Sequence, residues 1–143
     1  QLKNTIEAIK THPESRRHVI NLWNPQQLED MALPPCYLYF QLYISNGKLN
    51  MTIIQRSADL FLGVPYDIAL YSLLLLYIAK QTSYKAGYIY INFINAHIYE
   101  NQINPTLRYL QNNILNPVKY SYNNKLKLYD YKSVEKIKCK VAV

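Results

Sequence analysis

Cysteine is scarce in this chain: Cys36 and Cys139 are its only two thiols in 143 residues. With no neighbouring His or Cys ligands, they make neither a disulfide framework nor a zinc site, and they point to a reducing compartment. Acidic residues are also few, nine against sixteen lysines and arginines, which leaves a formal charge of +7. That balance favours anionic partners: a nucleotide, a polyglutamate tail or nucleic acid. Charged residues make up 17% of the chain and hydrophobic ones 50%, a composition that excludes a disordered segment and suits a packed core. No long hydrophobic run is present. The longest, Ile68 to Ala79, is interrupted by Ser72 and falls short of the roughly 18–20 residues that a bilayer demands. The start carries no secretory signal pattern, and the chain has no internal repeat or low-complexity linker. The expectation is one soluble, cytoplasmic domain over residues 1–143, with no membrane partner.

What is present alternates between helical and extended patterns. Leu2, Ile6 and Ile9 have helical spacing, and His12-Pro13 ends that helix, because proline disfavours a helical residue ahead of it. SRRHVINLW (residues 15–23) reads as a strand, and Asn24-Pro25 as the cap and first-turn proline of a short helical piece through Met31. Cys36–Ser45 and Leu49–Gln55 read as two strands joined at Asn46-Gly47, a pair suited to a tight hairpin turn. Tyr66–Lys80 is apolar on nearly every face and predicts a central helix buried in the core. Gly87–Ile94 reads as a further strand, and Asn104-Pro105 opens a helix carrying Leu107, Leu110 and Ile114. The predicted fold class is α+β. The seven lysines between Lys119 and Lys140 read as a solvated face, since no arginine-aromatic recognition pattern accompanies them. Nucleic acid is therefore an open partner without support.

Three clusters concentrate chemistry: SRRH at 15–18, PPC at 34–36 and QRSADLFLGVPYD at 55–67. Two adjacent guanidiniums, Arg16 and Arg17, can act as strand-edge charges or as a bidentate phosphate clamp. Cys36 lies between a rigid double proline and a run of large apolar residues, which fixes its position. A thiol needs an activator to be a nucleophile at neutral pH, and an adjacent arginine favours the thiolate. Arg56 would be that neighbour if the hairpin places its strand beside Cys36. A lone cysteine is otherwise a structural residue.

The order and spacing of these clusters resemble the C-terminal part of the thymidylate synthase family, through SRRH, MALPPC, QRSADLFLG, NAHIY and the terminal KVAV. The resemblance runs from the first helix to the last residue and implies the thymidylate synthase fold, with a mixed sheet and a homodimer formed through it. It also implies that an earlier part of the family is lacking here, so that the chain is a fragment, half of a split protein or a shortened relative. By resemblance, Cys36 would attack C6 of a deoxypyrimidine monophosphate, making C5 nucleophilic toward the methylene carbon of 5,10-methylenetetrahydrofolate. No metal is implied. Arg56 and Ser57 would bind the nucleotide phosphate, and Arg16 and Arg17 would reach it from the partner subunit. Gln55 would lie beside the nucleotide, and His97 with Tyr99 would hydrogen-bond the deoxyribose hydroxyl. Asp59 and Gly63 would belong to the folate side, and Ala142 and Val143 would close over bound folate.

Several positions depart from the family pattern. Asp67 stands where thymidylate synthases carry an asparagine that reads the pyrimidine edge, and the dCMP-acting relatives share the aspartate. Facing cytosine, a carboxylate accepts from the amino group, and a protonated one also donates to N3. Tyr37 replaces a histidine after the nucleophile. Asn95 replaces an aspartate, and Ser133-Val134-Glu135 stands for a proline-histidine-proline. Three readings follow: methylation of dUMP to dTMP, the family default; a dCMP methylase or hydroxymethylase; and an inactive relative kept as a structural or nucleic-acid-binding subunit.

Overall fold

Leu2, Ile6 and Ile9 line one side of the first helix, α1 (Leu2–Thr11), and Ile6 and Ile9 are buried against the rest of the core. His12 leaves the helical region at φ −138° and ψ 64°, as a residue ahead of a proline should. In this computed structural model, which describes residues 1–134 and 136–142, the chain divides into two compact units, Gln1–His97 and Ile98–Val143.

In the first unit, β1 (Val19–Asn21) is much shorter than the alternation of residues 15–23 predicts. The side-chain oxygen of Asn24 accepts from the Gln26 N–H at 3.2 Å, capping a 3-10 turn that covers only Pro25–Gln27. Strands β2 (Tyr37–Ser45) and β3 (Lys48–Gln55) form the predicted antiparallel hairpin. Asn46 and Gly47 take φ of 50° and 70°, the left-handed backbone that matches such a turn to twisted strands. After β4 (Ala58–Asp59) comes α2 (Gly63–Gln81), which carries the chain over to β5 (Lys85–Phe93), parallel to β3. The main sheet is therefore mixed, in the order β1-β2-β3-β5. The short strand β6 (Ala96–His97) pairs in parallel with β4.

Alternation decides which face of the sheet is covered. Ile20, Phe40, Leu42, Leu49, Met51 and Ile53 point to the side where α1 and α2 lie, and form one core with Tyr71, Leu75 and Ile78. Burying each such side chain is worth about 1.5–3 kcal/mol. The prediction of a fully buried central helix needs correction. Val64, Tyr71, Leu75, Ile78 and Ala79 are buried, but Tyr66 is 78% exposed, and Ile68, Leu70, Leu73 and Tyr77 are exposed too. A sheet on one side of a helix covers only that side, whatever the residues on the other. The apolar stretch from Ile68 also lies inside a 19-residue helix that is long and apolar enough to cross a membrane by length and composition; its buried face packs on the sheet.

One glycine is required by close approach. The register of β3 against β5 shifts between Leu49 and Met51. There the Asn50 amide folds over β5, accepting from the Tyr88 N–H at 2.9 Å and donating to the Lys48 carbonyl at 3.2 Å. A Cβ on Gly87 would stand 2.3 Å from Asn50 Oδ1. Only a residue without one fits.

The second unit holds a 3-10 turn (Glu100–Gln102), α3 (Ile103–Leu110) and the antiparallel pair β7 (Lys119–Tyr122) and β8 (Leu126–Tyr129). Ile114 lies beyond the end of α3 and is fully exposed, so the predicted helix is shorter than its apolar pattern. The described lysines from 119 to 140 are all exposed, as a solvated face requires.

Candidate active site

The prolines at 34 and 35 have no N–H to offer, so a regular strand begins only at Tyr37. Their carbonyls nevertheless need donors, and Arg56 supplies both: Nε reaches Pro35 O at 3.0 Å and Nη2 reaches Pro34 O at 2.9 Å. The same guanidinium lies over the Trp23 ring, 5.5 Å from its centroid. The Arg56 backbone N–H donates to the Cys36 carbonyl at 2.7 Å. Cys36 is thus held at the mouth of the hairpin by both the main chain and the side chain of Arg56. The hairpin does place these two residues side by side, an arrangement the spacing allowed without requiring it. Cys36 itself is half-buried and unpaired with Cys139.

Below this pair a polar chain runs into the core. The Gln55 side chain is 1% exposed. Its Nε2 donates to the Ser57 carbonyl at 3.0 Å and to Asp67 Oδ2 at 2.8 Å, and its Oε1 accepts from the Tyr71 hydroxyl at 2.9 Å. Burial, and then the Asp67 carboxylate, raise the Tyr71 phenol well above its ordinary value, so it is a standing donor. The Tyr37 ring meets Tyr71 edge-on at 5.8 Å and stacks on Phe40 at 5.6 Å, roofing the chain with aromatic surface. Gln55, Ser57, Asp67 and Tyr37, separate in sequence, therefore converge beside Cys36. Tyr71, Trp23 and the two proline carbonyls belong to the same cluster, and the sequence reading missed them. Helical spacing four residues from Asp67 was the signal for Tyr71.

Asp59 and Gly63 sit at the entry to α2. Asp59 Oδ1 accepts from the Phe61 and Leu62 N–H groups at 3.0 and 3.1 Å, a local turn that aims the helix. A Cβ on Gly63 would meet Asp59 Cβ at 3.4 Å and lie 4.0 Å from Asp67 Oδ2, so these three residues share one corner. His97 pairs with Asp59 across β4 and β6. Its Nδ1 lies 3.2 Å from both the main-chain and side-chain oxygens of Asn95. Facing two oxygens, Nδ1 is placed to donate. The amide at 95 therefore still orients the imidazole, as a carboxylate would.

Arg16 and Arg17 are exposed, and their guanidiniums have no partner among the described residues. What holds them out is His18, 1% exposed, whose Nε2 lies 3.1 Å from the His12 carbonyl, while its own carbonyl accepts from Leu42 N–H. In the second unit, Tyr99 precedes the 3-10 turn with its side chain exposed, and Ala142 is half-buried. Glu135 and Val143 lie outside the described residues. The clefts of the second unit are lined by residues such as Ile114, Lys119, Asp130 and Lys132 and contain none of the predicted site residues.

A mixed sheet thus presents a proline-flanked cysteine beside an arginine, next to a buried Gln55–Tyr71 pair that reaches the half-buried Asp67. The family model for thymidylate synthase matches residues 1–143, and the chain belongs to that family. It is 43% identical over 139 residues to a thymidylate synthase of Staphylococcus haemolyticus, covering 96% of this chain and 44% of that protein. It is 46% identical over 117 residues to a thymidylate synthase of Mycoplasma genitalium, covering 82% of this chain and 41% of that protein. The chain thus spans less than half the length of these relatives.

Proposed function

We propose that the full-length protein is a cytoplasmic enzyme that transfers a one-carbon unit from 5,10-methylenetetrahydrofolate to C5 of a deoxypyrimidine monophosphate, converting dUMP to dTMP. The observation that carries this reading is the Arg56 clamp, whose Nε and Nη2 hold the Pro35 and Pro34 carbonyls just ahead of Cys36. In the proposed reaction the Cys36 sulfur adds to C6, the electron pair moves to C5, and C5 attacks the methylene carbon. C5 then gives up its proton, and the methylene–nitrogen bond to the folate breaks. A hydride from the tetrahydrofolate reduces the methylene to methyl and leaves dihydrofolate, and loss of the Cys36 thiolate from C6 restores the ring double bond. Arg56 and Ser57 bind the phosphate from within the subunit. Arg16 and Arg17, exposed just ahead of β1 and with no guanidinium partner among the described residues, reach the phosphate of a second copy in a homodimer. In this reading Gln55 and Asp67 serve the base, His97 the sugar, and Asp59 and Gly63 the folate; the family resemblance assigns Tyr99 to the sugar and Ala142 and Val143 to the folate as well.

A second reading, in which the base is cytosine, is favoured by one observation. Asp67 offers a carboxylate where the base edge would lie, and one of its oxygens is already engaged as an acceptor by Gln55. The other oxygen can accept from a cytosine amino group, whereas a uracil O4 needs a donor there.

The test uses 5-fluoro-dUMP and 5-fluoro-dCMP, each with methylenetetrahydrofolate. A covalent ternary adduct should form and map to Cys36 by mass spectrometry, and the nucleotide that forms it faster identifies the base. An adduct at another residue, or none with either nucleotide, would refute the enzyme reading and leave the inactive relative.

A further inference from the structure

Hydrogen-bond direction in the buried chain is fixed by its ends. The Ser57 carbonyl is an acceptor, and Asp67 Oδ2 is held by the same Gln55 nitrogen, so the amide must present Nε2 to both. Gln55 Oε1 is then left facing the Tyr71 hydroxyl, a donor, with both side chains buried away from solvent. Asp67 and Tyr71 lie one turn apart on α2. Gln55 therefore reaches from the end of β3 and grips two successive turns of the helix through the two ends of one amide.

We propose that Tyr71, acting through Gln55, is a positioning residue for base selection: it fixes which oxygen of Asp67 remains for the pyrimidine. This rests on the reading that Asp67 faces the base edge. With Oδ2 tied to Gln55, only Oδ1 and the outer lone pair of Oδ2 are left for a ligand, and any proton on the carboxyl group must sit away from the Gln55 bond. Without the hydroxyl, Gln55 Oε1 is buried with no donor, a state that destabilises the arrangement enough to reorganise it. The amide then loses one end of its grip, and the plane of the Asp67 carboxyl is no longer set. A site that discriminates by hydrogen-bond pattern depends steeply on such placement.

The experiment compares dCMP and dUMP in full-length parent, Tyr71→Phe and Asp67→Asn proteins, by kcat/KM and by equilibrium binding of each nucleotide. Phenylalanine keeps the ring that meets Tyr37 and Phe40. The expected result is that Asp67→Asn shifts the ratio of the two nucleotides and that Tyr71→Phe narrows the parent's ratio by about tenfold, the cost of one buried unmet acceptor. An equal fall for both nucleotides, with the ratio within about twofold of the parent, marks Tyr71 as merely structural and overturns the inference alone. A ratio untouched by Asp67→Asn refutes the reading of the site and the inference with it. Should Tyr71→Phe not accumulate as folded protein, Tyr71→Met removes the same hydroxyl donor to Gln55 while leaving Gln55 and Asp67 in place, and is judged by the same ratio.

Discussion

Arg56→Lys keeps the charge beside Cys36 and removes the fork, so it isolates what the guanidinium geometry does. Two bonds depend on that geometry, Nε to Pro35 O at 3.0 Å and Nη2 to Pro34 O at 2.9 Å. Hydrogen bonds to a charged donor contribute about 1.5–3 kcal/mol each. An ammonium can take up one carbonyl but not hold both in a plane. Loss of one such bond, together with about 0.5–1 kcal/mol from the guanidinium over Trp23, gives an expected destabilisation of about 2–4 kcal/mol. Urea denaturation of the full-length protein reads this as a lower midpoint at unchanged slope. A second readout tests the link to the thiol. The Arg56 main-chain bond to the Cys36 carbonyl survives the substitution, but the preceding proline loop is released, so native-state alkylation of Cys36 should rise several-fold relative to Cys139 in the same molecule. An unfolding free energy within about 0.5 kcal/mol of the parent, with an unchanged labelling ratio, would show that the fork does not hold the cysteine segment.

Three further perturbations bear on other elements. Gly87→Ala places a Cβ against Asn50, whose amide is 4% exposed and has no room to turn away; breaking its bond to Tyr88 should cost about 1–3 kcal/mol in urea denaturation, and an unaltered midpoint would contradict the close approach. Mixing Arg17→Ala subunits with Cys36→Ala subunits should restore activity if the arginine serves the partner's site, whereas verified heterodimers no more active than either parent would place it elsewhere. Burial raises the Tyr71 phenol above its ordinary value of 10.0, so the unfolded chain loses this proton first. Stability from this group is full below pH 10 and declines above it by up to about 1.4 kcal/mol per pH unit. Tyr71→Phe should flatten that decline in alkaline denaturation, and an identical slope in both proteins would count against a buried phenol.

Features set by neighbours along the chain were legible in advance. The stop at His12-Pro13 and the turn at Asn46-Gly47 follow from backbone constraints a few residues wide, so they survive in any tertiary setting. The hairpin in turn brought Cys36 near Arg56, but the register of the two-residue turn alone would set Cys36 opposite Ser57; a one-residue shift between Tyr37 and Tyr39 brings it to Arg56. Features that depend on what lies opposite were misjudged. The alternation over residues 15–23 exceeds the three residues of β1 because pairing requires a partner, and β2 meets only Val19–Asn21. The β7–β8 hairpin was missed because its lysines and tyrosines carry no clean alternation.

By itself, then, the sequence determined the helices, the central hairpin and the motif order that places the chain in the thymidylate synthase family. Local backbone preference and side-chain identity are sufficient for each of these. Tertiary structure alone decided that Arg56 turns its fork on the proline carbonyls, that only one face of α2 is buried, and that the Gln55 amide points its nitrogen at Asp67 and its oxygen at Tyr71. These bonds join residues 12 to 22 positions apart. An amide reads the same in sequence whichever way it faces, and its direction is set only when donors and acceptors from different elements are brought into one dry space.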